Sequence, residues 1–144
     1  MKSYRIKIKK IEIESDNYHI ITTIKIKNKI LRFIMDTGAT HTCMNQHDFI
    51  VLHPEEPVLE YDGDSVGISG SGFKAELATL RDFKMGRMSI AEQNIVLLDM
   101  QHVNQVYQAL RKPKINGIIG CDFFVKYNAV IDFKNEEMIL WKNS

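Results

Sequence analysis

The stretch Ile34-Met35-Asp36-Thr37-Gly38-Ala39 places a carboxylate on a tight turn directly after an apolar run that begins at Ile30. Taking a carboxylate out of water is costly, so an aspartate at the mouth of a buried strand indicates a use for its charge. The Asp-Thr-Gly triplet occurs once in the chain. Acid–base catalysis by paired carboxylates needs a second aspartate, which a second copy of the chain would have to supply.

The composition predicts one ordinary globular domain spanning residues 1–144, with 44% hydrophobic and 26% charged residues. A formal net charge of +1 gives no general attraction to nucleic acid or to acidic membranes. No segment is long and apolar enough for a membrane span or a signal peptide. Two cysteines do not form a disulfide framework, so we expect buried free thiols and a cytoplasmic location.

The hydrophobic pattern predicts a mainly β fold with two or three short helices. Isoleucines alternate with charged residues over residues 4–14 and 20–27, which is the period of half-buried strands. The basic residues of the first stretch are interpreted as a solvated strand face. Further strands are predicted at 30–35, 40–44, 95–98, 129–133 and 138–141, a glycine-tipped hairpin at 57–83, and helices at 45–51, 99–110 and 123–127.

Asp36 is the candidate catalytic residue. Two carboxylates held close together share one proton, because they do not both ionise readily. The charged member can take a proton from a water molecule, and the protonated member can donate to a peptide carbonyl oxygen. Thr37 suits a supporting role through its hydroxyl group, and Gly38 lets a substrate backbone approach closely.

The chain resembles the retropepsin-like aspartic proteases, the single-domain relatives of the pepsins. The stretch 34–39 matches their first signature, and Ile118-Ile119-Gly120-Cys121-Asp122-Phe123-Phe124 resembles their second, two apolar residues and a glycine that lead into a short helix. A glycine-tipped hairpin lies between the two, where the family carries its flap. A strand pair at 129–133 and 138–141 closes the chain, so the motifs come in the expected order from about Tyr18 onward.

This resemblance implies a closed β-barrel-like acid protease fold and a homodimer with one Asp36 from each subunit on its axis. The substrate would be an extended peptide or protein segment, and no metal or organic cofactor is implied. The supporting residues would be Thr37, Gly38 and Ala39, and the substrate-binding flap would include Gly67, Ile68, Ser69 and Gly70.

Two positions depart from the viral members of the family. Those members have an aspartate after Asp-Thr-Gly-Ala and an arginine after the later glycine, whereas this chain has Thr40 and Cys121. Both partners of the viral pair are therefore replaced together. An added helix around residues 101–111 brings the chain closer to the cellular and bacterial retropepsin-like proteins.

Several other interpretations remain open at this stage. A catalytically inactive peptide-binding or dimerisation module on the same fold is the main alternative. A small-ligand β-barrel with a chance Asp-Thr-Gly turn is another. The spacing of His41, Cys43, His47 and His53 matches no common zinc pattern, so no metal site is predicted. Asp122 is interpreted as a helix cap.

Overall fold

The computed structural model describes residues 1–62 and 74–143, which form a mainly β structure. Gly67, Ile68, Ser69 and Gly70, which the sequence predicts as flap residues, lie outside the described part of the chain. The strands of the described structure are β1 (Lys2–Lys7), β2 (Lys9–Glu14), β3 (Asn17–Ile26), β4 (Lys29–Met35), β5 (Cys43–Asn45), β6 (Leu59–Asp62), β7 (Lys74–Met85), β8 (Met88–Leu98), β9 (Gly117–Ile119), β10 (Val130–Asp132) and β11 (Glu137–Lys142). Its helices are α1 (Gln46–Leu52), α2 (Gln101–Ala109) and α3 (Cys121–Lys126).

The strands form two sheets. A three-stranded sheet has the order β1-β11-β10, and an eight-stranded sheet has the order β2-β3-β4-β9-β5-β8-β7-β6. One further pairing joins β3 to β7 at Lys25 and Lys84, so the larger sheet folds back on itself. The described arms of the predicted hairpin, β6 and β7, pair antiparallel from Leu59–Leu77 to Asp62–Lys74, in agreement with the sequence.

Strand periodicity divides the apolar residues between two cores. Side chains of even-numbered residues on β3, such as Ile24 and Ile26, are buried in the main core. On the other face of the sheet, Ile11, Ile21 and Ile34 pack against Tyr107 of α2 in a second core.

In the described part of the chain, no helix is long and apolar enough to cross a membrane.

The N-terminal strand predicted over residues 4–14 is divided in the structure. The break falls at Ile8, whose N–H donates to the Glu136 carbonyl oxygen at 3.1 Å. The first half pairs with β11 and the second with β3, so the two halves belong to different sheets. The alternation of residues predicted the strand period but could not indicate this change of partner.

Two other details differ from the sequence pattern. Asn116-Gly117, which resembles a turn, is buried, and β9 begins at Gly117. Apolar residues at helical spacing on α2 and just after it are only partly buried: Tyr107 is 0% exposed, whereas Val106 is 44% and Leu110 is 37% exposed. Tyr107 is the buried residue of the three, and its hydroxyl pairs with His19 Nδ1 at 2.8 Å.

Candidate active site

The two signature stretches lie side by side in the fold. Strand β4 leads into Asp36 and runs parallel to β9, with Met35 opposite Ile119. The Asp36 backbone N–H donates to the Ile119 carbonyl oxygen at 2.9 Å. The candidate catalytic residue therefore follows directly from two paired buried strands, which fix the start of its turn.

The turn itself is held by hydrogen bonds that Asp36 accepts. Its carboxylate Oδ1 accepts from the Gly38 N–H at 2.9 Å, and its carbonyl oxygen accepts from the Ala39 N–H at 3.1 Å. A Cβ atom at Gly38 would lie 3.2 Å from the same Oδ1, which is a tight contact. Asp36, Thr37 and Gly38 are exposed and Ala39 is half-buried, so this turn lies on the surface of the single chain.

Cys121 supports this turn, a role that the sequence did not indicate. Its N–H donates to the Ala39 carbonyl oxygen at 2.8 Å, and its Sγ donates to the Thr37 carbonyl oxygen at 2.8 Å. Gly120 allows the close approach, because a Cβ atom there would lie 2.6 Å from the His41 carbonyl oxygen. Viral members of the family have arginine at this position. Here Cys121 stabilises the candidate catalytic turn of its own chain.

Asp122 links the segment after the turn to α3. Its Oδ1 accepts from the Thr42 N–H at 2.9 Å and from the Thr42 hydroxyl at 2.8 Å. The same hydroxyl oxygen accepts from the Gly120 N–H at 3.1 Å. Asp122 is not the cap itself, because Gly120 is the N-cap residue and Asp122 lies in the first turn of the helix. Its Oδ1 also accepts from the Phe123 N–H at 2.8 Å, so the carboxylate combines a local bond at the helix start with the tertiary bonds to Thr42.

Cys43 is buried beneath the turn. Burial, with smaller contributions from Asp122 and Asp36, raises the pKa of its thiol to about 12. A thiol with so high a pKa is a poor nucleophile at neutral pH, because the reactive form is the thiolate. The structure therefore indicates a packing role for Cys43.

Thiol labelling is expected to separate the two cysteines. At pH 8 an aromatic disulfide reagent should react quickly with one thiol per folded chain, the half-buried Cys121, and with Cys43 only after unfolding. Absorbance of the released thiolate measures both phases. The variant Cys121→Ser should lose the fast phase, and two fast thiols in the folded protein would contradict the assignment.

Metal binding finds no support in the described residues. Across residues 1–62 and 74–143, no three His, Cys, Asp or Glu side chains come together in a group able to hold a metal ion. His41 Nδ1 instead pairs with the Thr40 hydroxyl at 2.9 Å.

A cleft of about 540 Å³ has its lining outside the Asp36–Ala39 turn but reaches the segment just after it, at His41. Its lining combines His41 and Asp122 with apolar residues of the hairpin region, including Leu59, Leu77 and Val96. Half of the lining residues are polar or charged, including the ion pair of Arg81 with Glu56, so the cleft fits part of a ligand that carries both apolar and polar groups.

Comparisons with known proteins agree with this arrangement. The aspartyl protease family model matches residues 22–123. A crystal structure of a retropepsin-like aspartic protease from Rickettsia conorii has a TM-score of 0.56 at 16% identity, covering 96% of this chain and 89% of that one. The retroviral protease-like domain of Ddi1 from Leishmania major has a TM-score of 0.53 at 17% identity, covering 83% and 86%. No curated protein sequence matches. Asp36 lies on the turn after β4, and β4 pairs with β9. The chain belongs to the retropepsin-like aspartyl protease family.

Proposed function

We propose that the chain is an aspartic endopeptidase that works as a homodimer, with Asp36 from each subunit forming the catalytic pair. The observation that carries the proposal is the Asp36 turn, fixed by backbone hydrogen bonds to β9 and to the start of α3 yet exposed at the surface. A carboxylate that is held in place and accessible can meet its counterpart on a second copy. One such turn per chain makes the dimer the unit of catalysis.

Peptide hydrolysis follows from the chemistry of such a pair. The two Asp36 carboxylates would share one proton and titrate as a unit. The ionised member takes a proton from water as the water attacks the peptide carbonyl carbon, and the protonated member donates to the carbonyl oxygen, which gives a tetrahedral diol. The newly protonated carboxyl then donates to the nitrogen as the C–N bond breaks, and the other carboxylate takes a proton from a diol hydroxyl, so the pair returns to its starting state. The Gly38 N–H on Oδ1 orients each carboxylate during these transfers. Thr37 and Ala39 complete the turn, and no metal or organic cofactor takes part.

An extended peptide is the substrate class that this fold favours. The β3–β7 pairing supports a barrel-like closure of the larger sheet around the main core. The arms β6 and β7 lead to the segment with Gly67, Ile68, Ser69 and Gly70, which is proposed to cover the peptide as a flap. The cleft near His41 would receive substrate side chains.

The proposal is tested by digesting a peptide mixture at about pH 4 to 7, the range expected for a carboxylate pair that shares a proton. Sedimentation identifies one protein concentration at which the chain is dimeric and a lower one at which it is monomeric. We expect cleavage to lose specific activity on dilution, because the site exists only in the dimer. Absence of cleavage by the dimer would favour the inactive peptide-binding module, and constant activity in the monomer would refute the shared site.

A further inference from the structure

A second cleft, called here the basic cleft, has a volume of about 910 Å³ and includes no residue of the Asp36 turn. Its lining comes from residues 5–9, 11, 21–23, 32, 111–113 and 135–137. These segments are the two N-terminal strands, the middle of β3 and β4, the chain after α2, and the turn before β11. The cleft is thus built from parts of the chain that the proposed active site does not use.

The basic cleft continues the sheet face that α2 covers. In the strand register Lys9 lies opposite Ile21, and Thr23 lies opposite Arg32. Ile21 packs under α2 in the second core, whereas Lys9 and Thr23 are exposed. The helix ends at Ala109, and residues 111–113 after it line the cleft.

Positive charge dominates the lining. Six cationic residues face two carboxylates, Glu136 and Glu137, a local excess of four; the cations are Arg5, Lys7, Lys9, Arg32, Arg111 and Lys112. Glu137 pairs with Arg5, and Glu136 lies 3.9 Å from Lys10. Among the described residues, no carboxylate lies within 4.0 Å of the charged groups of Lys7, Lys9, Arg111 or Lys112. Such a concentration of unpaired cations attracts an anionic ligand.

The spacing of the cations favours an extended ligand over a compact one. Arg5, Lys7 and Lys9 alternate with the buried residues Ile6 and Ile8. Alternate side chains on an extended strand lie about 6.6 Å apart, which is the spacing expected for Arg5 and Lys7 on β1. Lys9, the first residue of β2, continues this row beyond the break at Ile8. Carboxylates at alternate positions of an extended peptide repeat at the same distance, whereas a single phosphate group reaches only part of the row.

We propose that the basic cleft binds an extended acidic peptide segment. Its carboxylates pair with Lys7 and Lys9 on one side and with Arg111 and Lys112 on the other. Its backbone lies over the apolar floor at Ile11 and Ile21. The complex forms without peptide hydrolysis, so this proposal stands apart from the function of Asp36.

Fluorescence anisotropy of a labelled peptide of alternating Glu and Ser tests this proposal. The full-length Asp36→Asn protein is used, so that the peptide stays intact. The double variant Lys9→Glu with Lys112→Glu should bind about tenfold more weakly, because two contacts become repulsive. The matched control, Lys25→Glu with Lys84→Glu, changes two exposed lysines outside the cleft by the same charge and should bind within about twofold of the parent.

Two comparison ligands, a Gln peptide and tripolyphosphate, test whether the cleft selects an acidic peptide. A peptide with Gln in place of Glu should not bind, and the Glu peptide should lose affinity as salt is raised. Equal weakening in both double variants would show a general charge effect and overturn the site. Absence of Glu-peptide binding, or binding of tripolyphosphate that is tighter and depends on Lys9 and Lys112, would also overturn it. Thermal unfolding confirms that every variant is folded.

Discussion

Replacing Asp36 with asparagine is expected to abolish peptide cleavage, by about 10³-fold or more, and to leave the fold intact. An amide cannot share a proton with the carboxylate of the second subunit, so neither activation of water nor proton donation proceeds. The amide oxygen still accepts from the Gly38 N–H, which preserves the turn. Cleavage of a peptide found in the digestion experiment gives the activity, and circular dichroism gives the fold.

Asp99 provides a matched control for this variant. Its Oδ1 accepts from the backbone N–H two residues later, Gln101, at 2.9 Å, which is the same local geometry as at Asp36. Asp99→Asn should therefore make a similar structural change and cleave at the parent rate. Cleavage retained in Asp36→Asn would remove Asp36 from the chemistry, and equal losses in both variants would point to a structural cause.

Local features of the fold followed well from the sequence because they depend on residues close in the chain. The helix predicted over residues 45–51 corresponds to α1, Gln46–Leu52. The strand predicted at residues 30–35 corresponds to β4, Lys29–Met35. The family resemblance drawn from the two signature stretches is confirmed by the match to residues 22–123.

Contacts between distant residues could not be predicted in the same way. The Cys121 Sγ bond to Thr37 joins positions 84 residues apart, and the Thr42–Asp122 bonds join positions 80 residues apart. A lone cysteine or aspartate in the sequence does not reveal such a partner. Asp122 was interpreted as a helix cap because its position before an apolar run satisfies that local rule.

The basic N-terminal residues show the same difference between local pattern and tertiary placement. Their alternation with isoleucine predicts a solvated strand face, and Arg5, Lys7 and Lys9 are indeed exposed. The pattern does not predict the opposite wall of the basic cleft, which Arg111 and Lys112 form about a hundred residues later in the chain. Only the fold brings the two groups of cations to one cleft.

Replacing Gly120 with alanine is expected to destabilise the protein by about 2 to 3 kcal/mol and to reduce cleavage strongly. The added Cβ atom would lie 2.6 Å from the His41 carbonyl oxygen and 2.9 Å from the Ala39 carbonyl oxygen. Both are backbone atoms, which cannot rotate away as a side chain can. The displaced backbone includes the Cys121 N–H bond to Ala39, so the Asp36 turn loses a support.

The variant Gly86→Ala is the control for Gly120→Ala, because it should lower the stability of the fold without changing the Asp36 turn. Gly86 has φ +56°, and its added Cβ atom would lie 3.1 Å from Ile6 Cδ1, a flexible side-chain end. Strain of the left-handed conformation should cost about 1 to 2 kcal/mol without touching the Asp36 turn. Urea unfolding compares the two variants, and cleavage is measured where both remain folded. Activity should fall in Gly120→Ala alone, because only that substitution moves the segment that holds the carboxylate. Unchanged cleavage in a folded Gly120→Ala protein would show that catalysis does not depend on this close packing.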